Sequence, residues 1–407
     1  MKSVSKIVIL QETFPNQSNI MKRFNIIAVL IALPFLSASA IKITSGPYLQ
    51  LVTENEATVV WTTDKKAVSW VETAPDDNLH FYAEERPKHY STYLGRAVID
   101  TVHRVRIKNL KKGTTYRYRI FSHEVLEEGP YYVAYGRTAS TDVYGRKPLT
   151  LTTCDSSRPS VEFIVVNDIH GDSAKFMDLT RSFEKGKTDF VIFNGDMVSS
   201  MESERQIMTG FVNNAVKKFA SETPFYMSRG NHETRGNFAK NYLSYFPTPT
   251  GMPYYCFREG PVFFIVMDGG EDKPDSSIEY SGTSFFDEYR EQEAAWLKEV
   301  VESDDFRNAS YRIVITHVPP VQDTWHGPLH AKKLFLPILN KAGIDLMLCG
   351  HLHKYVYNEP GTDGAEFPIL VNSNQHAVNV SADHKELHLT VTDREGKEFK
   401  RYTYPRK

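Results

Sequence analysis

Five nearly continuous apolar runs after residue 160 each lead straight into residues with acid, amide or imidazole chemistry. Glu162-Phe163-Ile164-Val165-Val166 ends in Asn167-Asp168-Ile169-His170-Gly171-Asp172, and the run at 189–193 ends in Asn194-Gly195-Asp196-Met197. The short Phe225-Tyr226-Met227 leads into Ser228-Arg229-Gly230-Asn231-His232-Glu233. Tyr311-Arg312-Ile313-Val314-Ile315 precedes Thr316-His317-Val318-Pro319, and Ile344-Asp345-Leu346-Met347-Leu348 precedes Cys349-Gly350-His351-Leu352-His353. Runs of this kind suit strands buried on both faces. Helical stretches at 206–220 and 287–303 lie between runs, so the pattern predicts an α/β domain. In open α/β sheets the C-terminal strand ends are where ligands gather. Glycines at 171, 195, 230 and 350 allow the sharp turns that such an edge needs.

The ligand types narrow the chemistry. Imidazole, carboxylate and amide oxygen without thiolate suit Mn²⁺, Fe²⁺/Fe³⁺ or Zn²⁺. Seven candidates (Asp168, His170, Asp196, Asn231, His317, His351 and His353) are too many for one such ion. They suit two ions about 3.5–4 Å apart that share a bridging carboxylate. Taken singly, each motif has a plainer explanation: a lone histidine can be a core residue, and an aspartate after a strand can cap a helix. Asp172 is read as such a cap. An ordered set at five strand ends is not explained that way.

The first part of the chain is patterned differently. Ala57-Thr58-Val59-Val60-Trp61-Thr62-Thr63, residues 101–107 and residues 115–120 alternate or are rich in β-branched residues, as short strands are. Leu110-Lys111-Lys112-Gly113-Thr114-Thr115-Tyr116 has the form of a tyrosine corner, with Trp61 as a core tryptophan of an immunoglobulin-like or fibronectin-III-like sandwich. Polar, Gly- and Pro-containing stretches between 141 and 159 mark a linker. The expected domains are therefore 41–150 and 160–407, the latter closing with alternating strands near 377–380, 387–392 and 399–402.

Residues 21–40, MKRFNIIAVLIALPFLSASA, have the basic start, apolar stretch and small-residue cleavage site of a signal peptide. The expected start is Met21, with 1–20 an upstream extension and cleavage after Ala40. The apolar stretch is short of the roughly 20 residues of a membrane span, so no transmembrane anchor is expected after cleavage. An uncleaved signal anchor is the competing reading. The implied location is exported, periplasmic or secreted. A net charge of -2 and the lack of a basic stripe argue against a nucleic-acid-binding patch. Three cysteines without CxxC spacing exclude a disulfide framework, though one Cys154–Cys256 bridge is conceivable in an oxidising compartment. Cys349 reads as a buried small hydrophobe. Oligomeric state is not legible.

The order D-x-H, G-D, G-N-H-E, H, G-H-x-H resembles the signature of the calcineurin-like metallophosphoesterases over residues 160–376. The helix with Gln292, Trp296 and Leu297 looks like a recurrent element of that family. With the preceding sandwich, the chain resembles the two-domain layout of purple acid phosphatases. The resemblance implies an α/β (α+β) sandwich of two mixed sheets flanked by helices, preceded by an all-β domain. It implies one metal at Asp168, His170 and His353 and another at Asn231, His317 and His351, with Asp196 bridging. It implies hydrolysis of small-molecule phosphate esters, monoesters first, by a metal-activated hydroxide. His232 would touch the phosphoryl oxygen or protonate the leaving group, and Arg229 or His232 would balance charge on the phosphoryl oxygens. A phosphodiesterase or nucleotidase would use the same site, and a non-catalytic secreted binding protein is the alternative of another class. Two departures stand out. His170 replaces the glycine of D-x-G, and Ser199 stands where purple acid phosphatases carry the tyrosine that binds Fe³⁺, so the purple assignment fails. Met197-Val198-Ser199-Ser200 also lacks the Asp and Arg of protein serine/threonine phosphatases. His326 and His330, in a loop past His317, either line the substrate pocket or lie on an ordinary surface, with Trp325 offering a flat face. The polar insertion at 269–283 shapes specificity or is merely solvated.

Overall fold

The structure, a computed structural model, describes residues 39–406. The expected signal segment lies almost wholly outside the described residues. No helix among those described is long and apolar enough to cross a membrane.

Alternating burial makes strands of Ile43–Gln50, Ala57–Pro75, Ile99–Ile107, Thr115–Glu128 and Val133–Ser140. The 19-residue strand Ala57–Pro75 is the spine of this domain. Its first half pairs with Ile43–Gln50 and Ile99–Ile107; a register shift between Thr62 and Ala67 then turns its second half onto Thr115–Glu128. The sandwich is thus one hydrogen-bonded sheet folded over itself, because the shared strand serves both layers. Trp61 is fully buried inside it, and the Lys111 amide donates to the Tyr116 hydroxyl at 2.9 Å, which is the expected tyrosine corner. The segment expected as linker contains one more strand, Leu149–Thr152, paired antiparallel with Thr115–Tyr118. Its Leu-Thr-Leu-Thr alternation completes the sheet.

The second domain carries two mixed six-stranded sheets. In one, Phe225–Ser228, Phe190–Asn194 and Ser160–Val166 run parallel, and the closing strands His376–Asp383, Glu386–Asp393 and Glu398–Pro405 follow antiparallel. In the other, Val262–Val266, Tyr311–Ile315, Leu346–Cys349 and Ile369–Val371 run parallel. Alternate residues explain why the runs are apolar throughout. Phe163, Val165 and Ile192 of one sheet face Phe264, Ile313 and Leu348 of the other. Ile164, Val166 and Phe193 pack outward under Phe176 and Phe211, while Phe263, Val314 and Met347 pack under Leu297 and Leu339 of helices Phe286–Val300 and His326–Ala342. Burial of both faces at about 25 cal/mol per Å² makes these strands the rigid base of the site.

The two domains meet through buried polar ties. Tyr48 Oη donates to the Tyr245 carbonyl at 3.0 Å, Gln50 Nε2 to the Phe225 carbonyl at 2.8 Å, and Tyr118 Oη to the Ser221 carbonyl at 2.6 Å. All three cysteines are free thiols, so the conceivable Cys154–Cys256 bridge is absent. Cys154 is buried against the Tyr226 hydroxyl, and Cys349 is buried as expected.

Candidate metal centre

Each parallel strand stops where its backbone must turn, and the turn residues are the ligand candidates. Asp168, His170, Asp196, His351 and His353 all have φ between 51° and 72°. That left-handed region is uncommon for residues other than glycine, and the strain it stores concentrates at functional sites. The turns brace one another: the Asp168 amide donates to the Gly195 carbonyl, His170 to Asp196, and Gly350 to His317. Close approach does the rest. A Cβ on Gly195 would sit 2.4 Å from the His317 ring, and one on Gly230 would sit 2.2 Å from Asp196 Oδ1.

The side chains are aimed by hydrogen bonds on their far sides. Asp168 Oδ2 accepts from Asn167 Nδ2 at 2.6 Å and from the His351 amide at 3.0 Å. Its buried Oδ1 has no well-formed hydrogen bond, yet three imidazole Nε2 atoms converge on it: His353 at 3.0 Å, His170 at 3.8 Å and His317 at 3.9 Å. His317 gives its Nδ1 proton to the Asn194 carbonyl at 2.7 Å, which leaves Nε2 to face Asp196 Oδ2 at 3.0 Å. His351 Nδ1 lies 3.1 Å from Asn231 Oδ1, and His170 Nε2 lies 3.2 Å from His353 Nε2. Asp196 belongs both to the His317/His351 group and to the group with His170 and His232, the position expected of a bridge. All seven candidates are therefore in one cluster.

Its electrostatics call for cations. Burial would push the His317 imidazole down, but the Asp196 and Asp168 carboxylates override it and hold the ring up at about 10. Both carboxyls are held below their usual range by His317 in spite of burial. Donor atoms that converge in this way, all nitrogen or oxygen, with Asp168 Oδ1 and His317 Nε2 buried and unsatisfied, fit a pair of borderline-to-hard ions.

His232 lies at the edge of this cluster. Its Nδ1 proton goes to the Ser199 carbonyl at 2.7 Å, so Nε2 points inward, 3.7 Å from Asp196 Oδ2. The neighbouring Glu233 has a different task. Its buried carboxylate accepts the amides of Asp196, Met197, Val198 and Gly230 at 2.8–3.2 Å, which locks the G-D turn to the G-N-H-E turn. Nothing in the sequence shows this, since three of the partners lie 35–37 residues away.

The candidate substrate residues Arg229, His326 and His330 fare differently. Arg229 pairs with Asp268 at 2.6 Å between the Tyr242 and Tyr289 rings. His326 and His330 are not in a loop: helix His326–Ala342 begins at His326. Both lie near Asp287, His326 Nε2 at 2.8 Å and His330 Nδ1 at 3.2 Å, and this trio has metal-like spacing. The fully buried Arg290 already occupies it, donating to Asp287 at 2.7 Å and to His330 Nδ1 at 3.2 Å. A resident guanidinium makes the trio an ion-pair network that ties the helix start to helix Phe286–Val300. Asp172 caps Ser173–Leu179 by accepting from the Ala174 and Lys175 amides, as expected.

Comparison with known proteins agrees with this geometry. Residues 161–355 match the calcineurin-like phosphoesterase family, and residues 44–139 match the purple acid phosphatase N-terminal domain. The second domain belongs to the calcineurin-like phosphoesterases. The clustered turns lie within the matched span, and the all-β domain before it matches the purple acid phosphatase N-terminal domain. The chain is 27% identical over 271 residues to an uncharacterized protein of Mycobacterium tuberculosis, covering 60% of this chain and 50% of that one. It is 23% identical over 269 residues to acid phosphatase type 7 of Mus musculus, covering 60% and 58%. The chain thus spans only about half the length of the curated relatives it matches. Among solved structures, a conserved uncharacterized protein of Streptococcus pneumoniae is 14% identical, with 61% of this chain and 100% of that one covered and a TM-score of 0.32. A cold-active protein-tyrosine phosphatase of Shewanella is 11% identical, with 90% and 99% covered and a TM-score of 0.30.

Proposed function

We propose that this chain is an exported, dinuclear-metal phosphoesterase that hydrolyses small-molecule phosphate esters, monoesters in preference to diesters. The observation that carries this reading is the convergence of three imidazole Nε2 atoms on the unbonded Asp168 Oδ1, beside an Asp196 shared between two ligand groups. One ion would be held by Asp168, His170 and His353 and the other by Asn231, His317 and His351, with Asp196 between them. Mn, Fe and Zn all suit these donors. The ions would supply the positive charge that binds phosphoryl oxygens and acidifies the attacking water.

The chain's own residues do the rest. His232, its Nδ1 fixed on the Ser199 carbonyl, presents Nε2 to the site, where it can donate to a phosphoryl oxygen or pass a proton to the leaving oxygen. Glu233 keeps the two turns in register so that Asp196 and Asn231 stay aligned. The mouse relative's designation as an acid phosphatase favours the monoester over the phosphodiesterase or nucleotidase reading. Retention of every ligand counts against a non-catalytic binding protein. Export rests on the signal-like residues 21–40, and a mature N-terminus at Ile41 is the expected result of sequencing the secreted chain.

The deciding assay compares p-nitrophenyl phosphate with its bis-ester, after chelation and add-back of Mn²⁺, Fe²⁺ or Zn²⁺. Faster turnover of the monoester with at least one metal is expected. Faster turnover of the bis-ester would move the assignment to a diesterase, and no turnover under any condition would sink the enzymatic reading.

A further inference from the structure

The chain beyond His317 does something the motif pattern does not foretell. After the turn at Thr316-His317-Val318 it bends back through Gln322, a non-glycine residue at φ 61°. A clamp holds that costly conformation: the Gln322 amide donates to Asp363 Oδ2 at 2.9 Å, and Gln322 Nε2 donates to Asn358 Oδ1 at 3.0 Å. The bend delivers Asp323, whose side chain is only 8% exposed, to the ring of His351. Asp323 Oδ1 accepts the amides of Thr324 at 2.6 Å and Trp325 at 3.0 Å, which fixes the plane of the carboxylate. The other oxygen, Oδ2, then faces His351 Nε2 at 3.5 Å.

The two nitrogens of His351 thus have different surroundings. Nδ1 looks toward Asn231 Oδ1 at 3.1 Å, within the ligand cluster, and Nε2 looks toward a carboxylate outside it. An imidazole can give a lone pair to a metal from Nδ1 only if its remaining proton sits on Nε2, and a carboxylate at Nε2 stabilises that tautomer and makes the ring a stronger donor. We propose that Asp323 is the positioning residue for His351: it fixes the ring's tautomer and orientation and thereby raises affinity for the ion shared by Asp196, Asn231, His317 and His351. This rests on the two-ion reading above. Asp323 touches neither substrate nor ion, so its effect runs through metal affinity. The Gln322 clamp is part of the device, because without it the carboxylate has no reason to stay under cover.

The test counts ions without substrate. Full-length wild-type chain and the variants Asp323→Asn and Asp323→Glu are loaded with Zn²⁺ or Mn²⁺, and native mass spectrometry follows ion loss against a chelator. In Asp323→Asn one of the two ions should dissociate at about 10- to 100-fold lower chelator concentration, with the other unchanged. Asp323→Glu should recover part of the loss. At saturating metal, hydrolysis by Asp323→Asn should return toward the wild-type rate with KM little changed. Asp363→Ala, which releases the Gln322 clamp on the surface, should weaken the same ion to a smaller degree, and it serves if the Asp323 variants unfold. Equal retention of both ions by wild type, Asp323→Asn and Asp363→Ala would overturn the proposal. Failure of the underlying two-ion reading looks different: the wild-type chain then takes up fewer than two ions at any concentration, and both proposals fall.

Discussion

Both halves of the molecule bury polar groups, but only one half satisfies them from within. In the sandwich, Trp61 Nε1 donates to Ser122 Oγ at 2.8 Å, Ser69 Oγ donates to the same oxygen at 2.9 Å, and His103 Nε2 meets Thr63 Oγ1 at 2.8 Å. Among the described residues, every buried side-chain nitrogen or oxygen without a hydrogen bond lies in the second domain, between Asp168 and Asn372. The backbone divides the same way. Leu51, Asn78, Leu94 and Asn109 are left-handed residues of the first domain, all between strands, whereas at the site left-handed residues carry the ligand side chains themselves. An unpaired buried polar group costs about 1–3 kcal/mol. Two of the unpaired atoms, Asp168 Oδ1 and His317 Nε2, sit in the ligand cluster, whereas the sandwich pairs its buried polar side chains with one another.

The largest expected effect breaks this comparison at its centre. Asp196→Asn removes the shared carboxylate, so the count of bound ions should fall below two and hydrolysis should vanish. Stoichiometric binding of two ions by Asp196→Asn would refute the bridging role. Next comes His232→Asn. Removal of a positioned proton donor should lower kcat about 10²- to 10⁴-fold, with ion content by mass spectrometry near the wild-type value. Lost metal in this variant would make His232 a ligand rather than an acid.

Glu233 is the site residue that behaves like the sandwich, since its partners are four amides of the chain itself. Glu233→Gln turns one accepting oxygen into a donor aimed at amide donors. A cost of about 2–3 kcal/mol is expected in urea unfolding of the chelated protein. No change in the midpoint would place Glu233 with the ion-directed groups instead.

The site was legible because each ligand follows a strand that is apolar at nearly every residue, which a doubly covered sheet explains. Asn167 and Asn194, which aim Asp168 and hold the strand ends together, are visible in the same way as polar stops to apolar runs. Other features were hidden by competing local signals. Trp325-His326-Gly327-Pro328 reads as a turn because glycine and proline punctuate structure. Yet proline is tolerated in a helix's first turn, and Gly327 is needed there because a Cβ would lie 2.1 Å from the Glu271 carbonyl. Strand Leu149–Thr152 was masked by the polar stretches on either side of it. The task of Glu233 and the reach of Asp323 depend on contacts between segments far apart in the chain, which no local pattern encodes.

The last effect tests the sandwich side of the comparison. His103 on strand Ile99–Ile107 is buried against the Trp61 ring, 5.2 Å between centroids, and accepts no charge without losing that cover. Burial pushes its pKa down to about 4, with the Asp100 carboxylate opposing only weakly. In the unfolded chain the same imidazole titrates near 6.5, so between these values the unfolded state binds more protons than the folded one. The contribution of neutral His103 is therefore complete above pH 6.5 and is lost as pH falls toward 4, a total of about 3 kcal/mol. Urea midpoints of the chelated protein at pH 7 and at pH 4.5 read this directly. His103→Gln keeps a partner for Thr63 but has no proton to take up, so its midpoint should fall less over that interval than the wild type's. An equal fall would mean that the acid sensitivity lies elsewhere, with the carboxylates of the metal centre the first place to look, and the two domains would then differ less in how they tolerate buried charge than their hydrogen bonds indicate.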